Sequence, residues 1–256
     1  DNRASVSNNR SQRFNMHGYG APKLDVVRMA FIGLGSRGSG NIIRYASIEG
    51  VEIRAVCDVV PDRVNNAQNA LKEFGHNPEG YSGSPEEWKK ICDRGDIDLV
   101  YIGTPWSLHT PMAVYAMNHD IHVATDRPAA TTIDDCWKLV ETSERTQKHC
   151  WVSTGACWGN MRAATLNMIR QGVLGDLIHG QGCYIHDRVS NYKSRWYRNP
   201  ENNHWFGYRP WRLKENINRN GNLYPDSGVD AVSQMMGLNY GDKMEFMVSV
   251  SSDDFT

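Results

Sequence analysis

A doubly wound α/β fold is the architecture this sequence predicts, on three observations. Short apolar runs alternate with helical stretches from Val26 to about Cys150. The first run breaks directly into Gly33-x-Gly35-x-x-Gly38, and the second, Val51 to Cys57, stops at Asp58. Strict β/α alternation calls for a parallel sheet with helices on both faces. The strands expected in order are Val27–Gly33, Val51–Cys57, Leu99–Ile102, His122–Ala124 and Cys150–Ser153. The helices between them are expected at Asn41–Ile48, Pro61–Phe74, Pro85–Cys92, Pro111–Asn118 and Thr132–Gln147. Pro61 and Pro85 suit a first helical position, where the missing N–H is not needed.

The glycine turn carries the first chemical reading. Gly33 permits the tight exit from the strand, Gly35 lets backbone approach a pyrophosphate, and Gly38 lets the helix pack on the strand. That helix then offers free N–H groups and a positive dipole end to phosphates. Asp58, about 20 residues on, suits a carboxylate accepting hydrogen bonds from the adenosine ribose hydroxyls. A carboxylate there repels a 2′-phosphate, which points to NAD rather than NADP. In such sheets ligands bind at the carboxyl ends of the strands. Those ends are Gly33–Gly38, Asp58, Thr104-Pro105-Trp106 with His109, Asp126-Arg127-Pro128 and Thr154-Gly155. Thr104 or Thr110 read equally well as caps of a helix around Pro111.

The 256 residues suffice for one large or two ordinary domains. With 28 basic against 29 acidic residues, no field attracts nucleic acid or an anionic membrane. No apolar stretch approaches the roughly 20 residues of a membrane span. Neither nucleic acid nor a membrane is therefore expected as a partner. The six cysteines (Cys57, Cys92, Cys136, Cys150, Cys157 and Cys183) form no C-x-x-C pair and read as buried free thiols, with no metal site. Residues 1–24, polar and without periodicity, read as a flexible arm. A start at Asp1 hints at a removed export signal and so at an exported or periplasmic protein, with the cytoplasm still open.

Past Cys150 the character changes. Residues 25–150 read as a nucleotide-binding domain and 151–256 as a second, partial one. A helix at Asn160–Gln171 leads into a strand at Leu177–Asp187, and a last strand is expected at Met244–Ser251. Between them, Asn191 to Arg212 is dense in rings and cations, among them Trp196, Trp205, Arg209 and Trp211. Such a mixture can stack nucleobases, but the neutral overall charge favours sugar rings or packing within the domain.

Four longer motifs extend the reading: Ala30-Phe31-Ile32-Gly33-Leu34-Gly35-Ser36-Arg37-Gly38, Thr104-Pro105-Trp106-Ser107-Leu108-His109-Thr110-Pro111, Tyr184-Ile185-His186-Asp187 and Trp211-Arg212-Leu213-Lys214-Glu215-Asn216. With Gly221-Asn222-Leu223-Tyr224-Pro225, they resemble glycoside hydrolase family 109, the NAD-dependent α-N-acetylgalactosaminidases within the glucose–fructose oxidoreductase/inositol dehydrogenase superfamily. The resemblance implies a Rossmann domain followed by an α+β domain with an open sheet, here shorter than in the family. It also implies a bound NAD that oxidises and re-reduces the sugar at C3, rather than the paired carboxylates of ordinary glycosidases. Cofactor contacts implied are Gly33, Gly35, Ser36, Arg37, Gly38, Asp58, Trp106, Ser107, Leu108, His109, Asp126, Arg127 and Gly155. Sugar contacts implied are Tyr184, Arg212, Tyr224, Pro225, Asp226 and Ser227, of which Tyr184, Tyr224, Asp226 and Ser227 are the catalytic candidates. The partner implied is a small sugar or a glycan non-reducing end, and a homo-oligomer is open.

The sequence departs from the family where chemistry is expected. After Tyr-Pro the family pattern is Thr-His-Gly, against Asp226-Ser227-Gly228 here. Thr154-Gly155 replaces Glu-Asn, and Asp126-Arg127-Pro128 replaces Glu-Val-Pro or Glu-Lys-Pro. Serine lacks the imidazole's capacity to take a proton near neutral pH, and arginine stays charged. Three readings follow: an NAD-dependent glycosidase, a sugar or cyclitol dehydrogenase, and a catalytically impaired relative that binds NAD or glycan.

Overall fold

The computed structural model describes residues 12–154, 159–185, 210–219 and 224–250. The chain divides into two units, Asp1–Val152 and Ser153–Thr256. In the first, strands β1 (Val27–Ile32), β2 (Val51–Cys57), β3 (Glu79–Tyr81), β4 (Leu99–Ile102), β5 (His122–Asp126) and β6 (Cys150–Ser153) form one sheet in the order β3-β2-β1-β4-β5-β6. β1 pairs in parallel with β2 and β4, β2 with β3, and β4 with β5. This is the doubly wound order, whose direction of winding reverses between β1 and β4.

Side chains alternate across β1. Met29 and Phe31 enter a core with Leu34, Ile42, Ile53 and Tyr101, while Ala30 and Ile32 enter another with Val100, Ile102, Met112 and Ala116. Both faces of the strand are thus dry, which is why it reads as a continuous apolar run. The helices are α1 (Ser36–Ala46), α2 (Pro61–Lys72), α3 (Trp88–Cys92), α4 (Trp106–Asn118) and α5 (Ile133–Thr146). Thr132 caps α5 by accepting a hydrogen bond from Asp135 N at 3.1 Å.

Three expectations are corrected here. α1 starts at Ser36, five residues earlier than its apolar periodicity suggested, and α4 starts at Trp106 with Pro111 inside it. Neither Thr104 nor Thr110 caps α4: the Thr110 hydroxyl donates to Ala129 O at 2.9 Å, and that of Thr104 faces Met112 Sδ at 3.7 Å. β3 had no sequence signal, because three residues are too few to show a period.

At the amino ends of the strands, Arg28 grips Asp98 through Nε at 2.9 Å and Nη2 at 2.6 Å. Asp98 N donates to Arg28 O, and His122 N to Asp98 O, so this pair sets the register of β1, β4 and β5. Residues 12–24 also contact this unit. Arg13 N donates to Glu144 at 3.1 Å, and the Tyr19 ring lies 5.3 Å from that of His149.

In the second unit, helices α6 (Asn160–Arg170), α7 (Pro210–Asn218) and α8 (Asp226–Met235) are present. The strands expected at Leu177–Asp187 and Met244–Ser251 are not formed over the described residues 177–185 and 244–250. An alternating pattern provides extended backbone, but a strand needs a hydrogen-bonded neighbour, and no described residue provides one. Residues 180–182 instead lie against α8: a Cβ at Gly180 would come within 2.8 Å of Val232, and one at Gly182 would overlap the Gly228 carbonyl.

Two outcomes test this packing. A Cβ on Gly38 would overlap the Gly33 carbonyl oxygen, whereas one on Gly35 meets nothing within 4 Å. Gly38→Ala should therefore cost at least about 2 kcal/mol, or roughly 4–8 °C in the melting temperature, and Gly35→Ala under about 1 kcal/mol, the difference between glycine and alanine at an N-cap. Thermal melts followed by circular dichroism decide. Arg28 holds the Asp98 carboxyl below the usual carboxylate range, chiefly by its side-chain hydrogen bonds. A carboxylate so lowered stabilises the fold above its unfolded pKa of about 4 and loses that effect as pH falls further. The melting-temperature gap between wild type and Asp98→Asn should hold from pH 7 to 5 and close below about pH 4.

Candidate functional site

The winding reversal between β1 and β4 opens a crevice, and three glycines form its floor. Gly33 takes φ +88° at the end of β1, where a side chain would be strained, and its Cβ would stand 2.7 Å from Gly103 C. Gly38 packs directly on Gly33. The protein's own packing therefore accounts for both glycines. It does not account for Gly35, around which a side chain would have open space. Gly35 is the N-cap of α1, and that helix has no side-chain cap and no acidic residue in its first turn. α4 likewise begins without a side-chain cap or an acid. Two helix N-termini without a side-chain cap or a first-turn acid thus open on the crevice, an arrangement suited to an anion. The chemistry of this cradle, uncapped helix N-termini beside a close glycine turn, fits a dinucleotide pyrophosphate.

Around it stand the remaining expected residues. Arg37, well exposed, has Nε 3.8 Å from Asp126 Oδ2 at the end of β5. Arg127 follows and enters Pro128 through a cis peptide. Asp58, expected to accept hydrogen bonds from the ribose hydroxyls, has a side chain only 5 % exposed. Its Oδ2 accepts from Leu34 N at 2.8 Å, its Oδ1 from Val60 N at 3.0 Å, and Arg63 Nη1 lies 3.3 and 3.4 Å from the two oxygens. The carboxylate ties the glycine turn to the end of β2.

On α4, Ser107 and Leu108 are exposed, whereas Trp106 and His109 are buried. His109 stands between two loops, with Nδ1 2.7 Å from Pro128 O and Nε2 2.8 Å from Thr104 O. It braces the ends of β4 and β5 from within rather than presenting its ring to a ligand. Gly155 lies outside the described residues. The sequence reading missed Arg63, whose signal is its place in the first turn of the helix after Asp58. It also missed Gly103, whose only signal is a glycine directly after β4.

In the second unit, three of the expected sugar contacts come together. The rings of Tyr184 and Tyr224 lie 5.7 Å apart, and Arg212 Cζ lies 5.2 Å from the Tyr224 ring and 5.8 Å from that of Trp211. Gly182 and Gly228 are in backbone contact, which seats the Tyr184 segment at the start of α8. Pro225 is the N-cap of α8, and Asp226 and Ser227 form its first turn. Ser227 is buried. Burial pushes the Cys57 and Cys92 thiols up to about 12, so neither is a ready nucleophile. Cys136 and Cys183 are exposed, contrary to expectation, and Cys157 lies outside the described residues. Among the described residues no cluster of three His, Cys, Asp or Glu could hold a metal.

Comparison with known proteins agrees with both units. Residues 27–154 match the oxidoreductase family with an NAD-binding Rossmann fold, and residues 159–255 match the C-terminal domain of glycosyl hydrolase 109. An alpha-N-acetylgalactosaminidase of Bacteroides fragilis is 45% identical over 92% of this chain and 54% of its own length. One of Shewanella oneidensis is 38% identical over 98% of this chain and 53% of its own. The chain thus spans about half the length of the curated relatives it matches. An NAD-binding oxidoreductase of Klebsiella pneumoniae shares the fold, with a TM-score of 0.66 at 17% identity over 83% of this chain and 54% of its own. With an NAD-binding Rossmann domain and the family's C-terminal domain in one chain, this protein belongs to glycoside hydrolase family 109.

Proposed function

We propose that this chain contributes to removing terminal α-N-acetylgalactosamine from glycans, with NAD as a resident cofactor. The observation that carries the reading is the grouping of Tyr184, Tyr224 and Arg212 in the unit that matches the family's C-terminal domain. When bound, NAD supplies reversible hydride removal at C3 of the sugar. The chain's own residues bind, orient and move protons. The first turn of α1, from Ser36 to Gly38, holds the pyrophosphate, and Arg37 adds charge beside it. Arg127, Ser107 and Leu108 line the strand ends, while Asp58 and His109 fix the loops that carry these contacts.

On the sugar side, Arg212 offers a planar fork of donors to the oxygens of the ring. Tyr184 and Tyr224 each carry a phenol O–H that can give and accept a proton. They are suited to the proton transfers at C2 and at the leaving oxygen that elimination and water addition require. Asp226, in the first turn of α8, is the carboxylate candidate beside them.

One observation favours the reading in which this chain binds but does not turn over. Ser227, where the resemblance expects a histidine, is buried and carries no group that takes a proton near neutral pH.

Release of 4-nitrophenol from its α-N-acetylgalactosaminide, with no cofactor added, tests the proposal. Turnover without NADH accumulating supports it, and steady NADH growth with a free sugar would instead mark a dehydrogenase. Bound NAD with no glycoside cleaved points to the impaired relative, in which Ser227→His with Thr154→Glu should bring turnover up. Tyr184→Phe should lower kcat by about 10²-fold or more. Arg212→Lys should act mainly on KM, by about tenfold for ~1.4 kcal/mol of lost bidentate binding. Stripped of NAD, Gly35→Ala should melt close to the equally stripped wild type, yet it should fail to retain added NAD on gel filtration, read from absorbance at 260 nm. An alanine there that retains NAD as wild type does would show that the pyrophosphate lies elsewhere.

A further inference from the structure

We propose that His122 works as a proton-operated latch: when neutral it holds residues 12–24 against the amino ends of β5 and β6, and when protonated it lets that segment go. The latch lies at the end of the sheet opposite the crevice, so its working is separate from the chemistry proposed above.

Few contacts make up the latch. His149 N donates to His122 Nδ1 at 2.9 Å, and Val123 N donates to His149 O at 2.8 Å, which pins residue 149 to the start of β5 twice. The two imidazoles stack with centroids 5.3 Å apart and planes 28° from parallel. The Tyr19 ring lies 5.3 Å from that of His149, and the Phe14 ring meets Tyr19 edge-on at 5.6 Å. Arg13 N on Glu144, at the surface, is a second anchor of the same segment.

The direction of the first bond makes the latch sensitive to acid. A backbone N–H can only donate, so His122 Nδ1 accepts and the ring proton sits on Nε2. A second proton must go on Nδ1, where it meets the His149 N–H. The bond is then lost, and the ring has to turn away from the residue that carries Tyr19. The surroundings do not favour an imidazolium. Lys148 and His149, at the start of β6, add positive charge. The Asp98 carboxylate already takes hydrogen bonds from Arg28 N, Nε and Nη2, and Asp120 lies 3.0 Å from Lys148 Nζ. Burial, then Lys148 and His149, hold the His122 imidazole below its usual range, and the opposing pull of Asp98 and Asp120 is weaker. A base so lowered stabilises the docked form above its free pKa of about 6.5 and loses that effect as pH falls further. Histidine is the side chain whose charge changes in this range.

Hydrogen exchange of the whole chain between pH 8 and 5, corrected for the intrinsic pH dependence of exchange, tests the latch. Protection of the His149 amide and of residues 12–24 should fall by at least about threefold below pH 6.5, while amides of β1 and β4 keep theirs. His122→Asn places a carbonyl oxygen near the Nδ1 position without a titrating group, and should hold the segment equally at all these pH values. Tyr19→Ala should free residues 12–24 at every pH yet leave the response of the His149 amide in place, so the latch can be judged even if His122→Asn does not fold. Protection of residues 12–24 in the wild type that ignores pH overturns the inference. So does an acid response that survives His122→Asn, or a loss of protection in β1 and β4 together with the segment, which would mark general unfolding.

Discussion

The close approach of Gly33, Gly38 and Gly103 is the contact on which the rest of the first unit depends. It brings the end of β1, the first turn of α1 and the end of β4 within backbone contact. Without it α1 could not start at Ser36, and its N-terminus would not point across the mouth of the winding reversal. Side chains at these positions would wedge the strand ends apart, and the crevice would lose the geometry that aims two helix N-termini at one place. The cost of backbone freedom at three glycines is offset by the dry cores on both faces of β1.

Three polar clamps hold the rim that this floor supports. Asp58 joins the glycine turn to the end of β2, His109 joins the ends of β4 and β5, and Arg37 reaches toward Asp126. Two of these clamps use buried side chains. A buried polar group is tolerated only when its hydrogen bonds are made, so Asp58 and His109 are committed to protein partners. Residues that look like ligand contacts in a motif can thus act one step back, by fixing the loops that touch the ligand.

Most of the first unit was legible in the sequence because its signals are local. Apolar runs, turn glycines and a proline at the start of α2 each report on their own neighbourhood. What was missed depends on contacts between distant segments. α4 begins at Trp106, where Trp106 and His109 are buried against the strand ends while Ser107 and Leu108 face out, a pattern that the position of Pro111 conceals. The burial of Asp58 follows from donors 24 residues upstream, at Leu34. The second unit was less legible for the same reason. Alternation at Leu177–Tyr184 resembles a strand, yet its glycines serve contact with α8, and hydropathy does not separate the two uses. Tyr184, Arg212 and Tyr224 are far apart in sequence. Only the family resemblance named them together, and the structure brings them to one place.

The contrast between Gly35 and its two neighbours separates fold from function within one motif. Gly33 and Gly38 would be required in any protein that makes this turn, whatever it binds. Gly35 is not required by the fold, since a side chain there meets open space. A residue that stability does not demand, at the N-cap of an uncapped helix, is explained by something that must come close. The crevice offers helix donors at that point, so the missing neighbour is an anion. By the same reasoning Ser227 is a residue of the fold as much as of the site. Buried at the start of α8, it donates its N–H to Tyr224 O at 3.2 Å and so ties the helix to the segment that carries that ring. The residue at this position therefore bears on how Tyr224 is held as much as on which group carries a proton.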